Sequence, residues 1–144
     1  MAHVPGRATI MVVEDDAVMG RILAEALELA GYAVRLAATG SQACALQPLL
    51  EPDLIILDLM LPDVDGLVLT MTLKAMTDSP IVICSGRWGQ VDRMLGLRLG
   101  AADFIAKPFD LDDFQARIEA VVNGFPKRPL STSKPNRTGR QRRA

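Results

Sequence analysis

Five short apolar runs, each followed by a stretch with helical spacing, constrain this chain more than anything else in it. Thr9 to Val13, Ala33 to Ala37, Leu54 to Leu57, Ile81 to Cys84 and Asp103 to Ala106 read as strands, and three of them are apolar enough to be covered on both faces. Ala17 to Ala30 carries Val18, Ile22, Leu23, Ala26, Leu29 and Ala30 at helical spacing and is followed by Gly31, a helix-ending residue. Ser41 to Leu50, Leu67 to Met76, Gln90 to Leu99 and Leu111 to Val122 complete the helices. Asp110 is placed to cap the last of them, and Met94 and Leu97 in the fourth read as core. Five βα units in succession predict an α/β fold, a doubly wound five-stranded parallel sheet with helices on both faces and right-handed crossovers.

The 144 residues suffice for one such domain, which buries about two thirds of its unfolded surface. Charge divides the chain. Residues 1–125 hold 9 basic against 17 acidic side chains, while 126–144 hold 7 basic and no acidic ones. The reading is a flexible lead over 1–7, a folded body over 8–124 and a basic, disordered tail over 125–144. His3 falls in the lead, where a metal role is not expected. No run is long and apolar enough to span a bilayer, and the first apolar run stops at Glu14-Asp15-Asp16, so a cytoplasmic protein is expected. Cys84 lies inside an apolar run and reads as a small buried thiol; neither it nor Cys44 is given a chemical role.

In open parallel sheets ligands bind beyond the carboxyl ends of the strands. Here the first strand ends at Glu14-Asp15-Asp16, the third at Asp58, the fourth at Ser85-Gly86 and the fifth at Lys107. Three carboxylates gathered at one edge repel one another unless a cation intervenes, and hard oxygen ligands suit Mg²⁺, which keeps waters and takes phosphate oxygens as further ligands. A carboxylate can also act as a nucleophile toward phosphorus, with an ammonium neutralising the transferring group. Asp58 is the candidate nucleophile and Lys107 the ammonium. Ser85 offers a hydroxyl, and Gly86 permits close backbone approach to phosphate oxygens.

The segments VVEDD, LDLMLPDVDG, ICSG and GAADFIAKPF, spread over residues 8–123, resemble the receiver domain of two-component response regulators. The resemblance implies a flavodoxin-like (βα)5 sheet of order 2-1-3-4-5. It also implies roles: Asp58 as phosphoacceptor; Asp15 as direct Mg²⁺ ligand together with Asp58 and the Met60 carbonyl, and Glu14 through water; Ser85, Gly86 and Lys107 around the phosphoryl group; Ser85 and Phe104 as switch residues. The implied partners are a histidine kinase or phosphotransfer protein and a downstream protein target. Some positions depart from the family. Gly86 stands where alanine is commoner, and Phe104 replaces the commoner tyrosine, so its motion is expected to be driven by packing alone. Asp16 extends the acidic pair and is expected to face solvent. Trp88 is either a partner contact or a cover for the following helix. Met60 and Arg87 flank the site without a carboxylate or amide to orient water, so slow hydrolysis of an aspartyl phosphate is expected.

The expected protein is thus a stand-alone response regulator and not an enzyme, beyond self-phosphorylation and slow autodephosphorylation. Arg93, Asp103, Asp113 and Arg117 resemble residues that pair across a dimer face in receivers of winged-helix transcription regulators, which implies a homodimer on phosphorylation. Two other readings stand beside this one. A phosphatase that forms its own aspartyl phosphate would need a second Asp two residues after the nucleophile, where this chain has Met60. A nucleic-acid-binding regulator would work through the basic tail.

Overall fold

The computed structural model describes residues 7–87 and 89–124. Trp88 and the basic tail lie outside the described residues, as does the lead apart from Arg7. The elements alternate as β1 (Thr9–Val13), α1 (Ala17–Leu29), β2 (Ala33–Ala37), α2 (Gly40–Leu50), β3 (Leu54–Leu57), α3 (Gly66–Met76), β4 (Ile81–Ser85), α4 (Gln90–Arg98), β5 (Asp103–Ala106) and α5 (Leu111–Gly124). All four strand pairings are parallel, in the order β2-β1-β3-β4-β5. The expected flavodoxin-like sheet is therefore the observed one.

Period-two alternation along the central strands builds two cores. Ile10, Val12, Leu54, Ile56, Val82 and Cys84 face Leu23 and Leu27 of α1 and Phe114, Ile118 and Val121 of α5. Met11, Val13, Ile55, Leu57, Ile81 and Ile83 face Ala43 of α2 and Leu69 and Leu73 of α3 on the other side. Each buried aliphatic side chain contributes about 1.5–3 kcal/mol relative to exposure. β1, β3 and β4 are the three strands covered on both faces, whereas β2 at one edge leaves Arg35 and Leu36 exposed.

The helix ends follow local chemistry. Asp16 caps α1 by accepting from the Val18 and Met19 amides, so it is exposed as expected but tied to the helix. Gly31, at φ 103°, follows α1, with Gly31 N–H donating to Glu28 O and Tyr32 N–H to Leu27 O. That paired closure requires a left-handed residue, which glycine adopts without a Cβ penalty. Asp110 caps α5 through the Asp113 amide.

Two helix faces differ from the spacing-based expectation. In α1 the inward stripe is Gly20, Leu23, Ala24, Ala26 and Leu27, and it leaves Val18, Ile22 and Leu29 exposed. In α4 the expected core residues Met94 and Leu97 are 47% and 44% exposed. The one buried residue of α4 is Gly96. A Cβ there would stand 2.7 Å from Ile83 Cδ1 and 3.4 Å from Phe104 Cδ2, so the helix backbone itself lies against the sheet and its larger side chains splay outward.

Candidate functional site

Four strand ends deliver the site, and the sheet ladder fixes three of them by backbone bonds beyond the strands. Glu14 N–H donates to Ala37 O, Asp58 N–H to Val13 O and Lys107 N–H to Ser85 O. Asp58 and Glu14 are each 6% exposed and Ser85 is fully buried. Asp58 Oδ1 accepts from the Met60 amide at 2.9 Å and from Ser85 Oγ at 2.6 Å. Its Oδ2 accepts from Lys107 Nζ at 2.9 Å, and the same ammonium donates to Glu14 Oε1 at 2.6 Å. Glu14 Oε2 accepts in turn from the Asp16 amide.

This wiring sets the protonation of the site. Burial alone pushes the Asp58 carboxyl up, but the Met60 amide, the Ser85 hydroxyl and Lys107 together bring it below its ordinary value. Glu14 goes the other way: burial raises its carboxyl, and the bond to Lys107 offsets only part of that. Burial works against the Lys107 ammonium, yet its bonds to Glu14 and Asp58 prevail and hold its pKa above the usual lysine value. Asp58 is thus an ionised, fixed and partly desolvated carboxylate, the form a nucleophile requires.

Two of the three expected carboxylates share one ammonium. Glu14 and Asp58 converge because Lys107 stands between them, while Asp15 is exposed. Among the described residues no three His, Cys, Asp or Glu side chains could hold a metal ion between them. The donors nevertheless fit Mg²⁺ chemically. Asp15, Asp58 and the Met60 carbonyl are all hard oxygen donors, and Mg²⁺ needs only one or two carboxylates when water and phosphate supply the rest.

The loop after Asp58 is closed by a Met60–Asp65 bridge and by Gly66 N–H donating to Leu59 O. A Cβ on Gly66 would stand 2.3 Å from Leu59 Cα, so only glycine lets this turn close. On the opposite side, Arg87 N–H donates to Ser85 Oγ at 3.1 Å. The Arg87 guanidinium reaches Asp65 at 2.9 Å through Nη1 and Asp92 at 3.0 Å through Nε. These contacts join the end of β4 to the starts of α3 and α4, and no sequence spacing announces them. Gly86 has open space where a Cβ would be, so alanine would fit there.

Phe104 is 1% exposed, and the Arg93 guanidinium lies 5.2 Å from its ring centroid. Packing alone therefore does not hold the aromatic, since a cation also rests on its face. Asp103 and Asp113 both contact Arg117 within the chain, each at 3.2 Å. The four residues expected at a dimer face thus have partners inside one protomer.

Fold and site together define a doubly wound α/β domain with a buried, lysine-bridged aspartate at the carboxyl edge of its sheet. The profile of the response regulator receiver domain matches residues 10–119. The chain is 39% identical over 113 residues to the transcriptional regulatory protein BaeR of Escherichia coli, covering 78% of this chain and 47% of that protein. The non-phosphorylated HemR receiver domain from Leptospira biflexa superposes with a TM-score of 0.76 at 38% identity, covering 90% of this chain and 98% of that one. The BeF3-activated N-terminal receiver domain of Klebsiella pneumoniae RstA gives 0.76 at 31% identity, covering 79% and 97%. The chain belongs to the response regulator receiver domain family of two-component systems. It spans about half the length of the curated relatives it matches. Among the described residues, no helix is long and apolar enough to cross a membrane.

Proposed function

We propose that Asp58 accepts a phosphoryl group from a phosphohistidine of a histidine kinase or phosphotransfer protein. A carboxylate oxygen of Asp58 attacks phosphorus, the phosphorus–nitrogen bond of the donor breaks, and the electron pair leaves with the donor imidazole. Lys107 holds positive charge beside the arriving group, and the Ser85 hydroxyl, now donating to Asp58, is within reach of a phosphoryl oxygen. Mg²⁺, held by Asp15, Asp58 and the Met60 carbonyl, with Glu14 acting through water, would neutralise charge on the transferring group. The observation that carries this reading is a buried carboxylate, Asp58, gripped by an amide, a hydroxyl and an ammonium.

Incubation with acetyl phosphate and Mg²⁺ is expected to add one base-labile phosphoryl group to the wild-type protein and none to Asp58→Asn. Equal labelling of Asp58→Asn would move the acceptor elsewhere. Asp15→Ala is expected to weaken Mg²⁺ binding, and an unchanged titration would remove Asp15 from the ligands. The label is expected to outlast minutes without a phosphatase, because neither Met60 nor the engaged Arg87 presents a base to water.

The output is a protein-interaction surface on α4, β5 and α5, with a second copy of the chain as one occupant after phosphorylation. Val91, Met94, Leu95 and Leu97 supply exposed apolar area there, beside the charged Arg93, Asp103, Asp113 and Arg117.

A further inference from the structure

The loop that leaves Asp58 is fastened at its tip to a helix that contributes no side chain to the site. Asp63 Oδ1 accepts from the Gly40 amide and Oδ2 from the Ser41 amide, both at 2.9 Å. These are the first amides of α2, donors with no partner inside the helix and at the positive end of its dipole. The helix has its own cap without Asp63, since Thr39 Oγ1 accepts from the Gln42 amide and the Gln42 side chain accepts from the Ala38 amide. The next loop residue is seated as well. A Cβ on Gly40 would stand 2.4 Å from Val64 Cγ1, so the absence of a side chain at position 40 is what lets the loop dock. From that tip the loop returns through the Met60–Asp65 bridge, and the Met60 amide donates to Asp58 Oδ1.

We propose that Asp63 is a positioning residue for the phosphorylation site. By tying residues 60–65 to the N-terminus of α2, it holds the Met60 amide against Asp58 and the Met60 carbonyl where a divalent cation needs it. The metal half of this proposal rests on the function proposed above, and the amide half does not. Residues that orient a metal's ligands without touching the metal commonly cost 10- to 100-fold in affinity when removed.

The experiment compares Asp63→Ala, Asp63→Asn and the double variant Thr39→Ala/Gln42→Ala, which strips the cap of α2 but leaves the loop tie. Mg²⁺ affinity, amide hydrogen exchange at Met60 and melting temperature are read for each. Asp63→Ala is expected to bind Mg²⁺ about tenfold more weakly and to exchange the Met60 amide faster, with Asp63→Asn between it and wild type because it keeps one acceptor oxygen. The double variant is expected to melt earlier with Mg²⁺ affinity and Met60 exchange unchanged. Wild-type values of both in Asp63→Ala would overturn the proposal. So would a double variant that reproduces both losses, because the effect would then be that of a frayed α2. Should the wild-type protein bind no Mg²⁺, the metal role proposed for the site fails. Met60 exchange then decides alone, and an unchanged rate in Asp63→Ala sinks the positioning role.

Discussion

Lys107 stands between two buried carboxylates whose proton affinities are driven in opposite directions. Asp58, lowered, contributes stability above the ordinary aspartate range and loses it as pH falls through its depressed pKa. Glu14, raised, binds its proton more tightly in the folded protein, so its ionisation costs stability as pH climbs through the raised value. Lys107→Met should therefore destabilise the protein by about 3 kcal/mol at neutral pH, the usual cost of breaking one side of a buried pair. Urea unfolding should show a smaller loss at mildly acidic pH, where Glu14, raised by burial and now without its ammonium, takes up a proton. Equal losses at both pH values would contradict the raised Glu14. Cys84, inert by its burial, has a thiol pushed up to about 12. The unfolded thiol ionises first, so stability should fall as pH rises from about 9 toward 12, by up to about 4 kcal/mol at roughly 1.4 per unit. Cys84→Ala should flatten that part of the curve, leaving the Tyr32 and Lys107 contributions, which are lost as pH rises through their own elevated pKa values. The position of these groups at the sheet edge was legible from the strand ends. Their pairing was not, because nothing in the spacing of Glu14, Asp58 and Lys107 says that the lysine bridges the other two.

At the scale of elements, the five strands were legible because runs such as Leu54–Leu57 are buried on both faces, and continuous apolar character leaves few alternatives. Helix starts were off by a residue at Gly40 and Gly66, each preceded by a capping side chain, Thr39 and Asp65. Helix faces were harder. Apolar spacing marked Val18, Ile22 and Leu29 in α1 and Met94 and Leu97 in α4, yet the contacts are made by neighbours, and in α4 by a glycine that no hydrophobicity scale would select. Asp63 and the Arg87–Asp65 contact were invisible for another reason, since the partners lie 23 and 22 residues away across loops. With so little of α4 buried, its amides are expected to exchange faster than those of α1 or α5. Gly96→Val is expected to push α4 off Ile83 and Phe104 and to cost about 1–3 kcal/mol. A wild-type melting temperature in that variant would mean the gap beneath α4 is wider than the Gly96 contacts indicate.

At the scale of the whole molecule the chain is nearly neutral, at a net charge of −1, so no long-range attraction or repulsion decides whether two copies meet and association needs contact energy. In the dimer proposed for the phosphorylated protein, Arg117 must exchange Asp103 of its own chain for Asp103 of a second copy and give up Asp113 to that copy's Arg93, a trade worth little because exposed pairs contribute about 0–1 kcal/mol. Apolar area from Val91, Met94 and Leu97 has to supply the rest. Sedimentation of beryllofluoride-treated protein is expected to show a dimer that Met94→Glu disrupts more than Arg117→Ala does. A strictly monomeric activated protein would leave this face to a different partner. The sparse seat of α4 on Gly96 has one more consequence, for the response to temperature. A helix lifted from this seat would uncover Ile83 and Phe104, both buried beneath Gly96, so its release carries a positive change in heat capacity and is favoured by denaturant. The hold of the sheet on α4 should therefore curve with temperature in the same sense as the global stability of the domain, weakening on cooling as well as on heating.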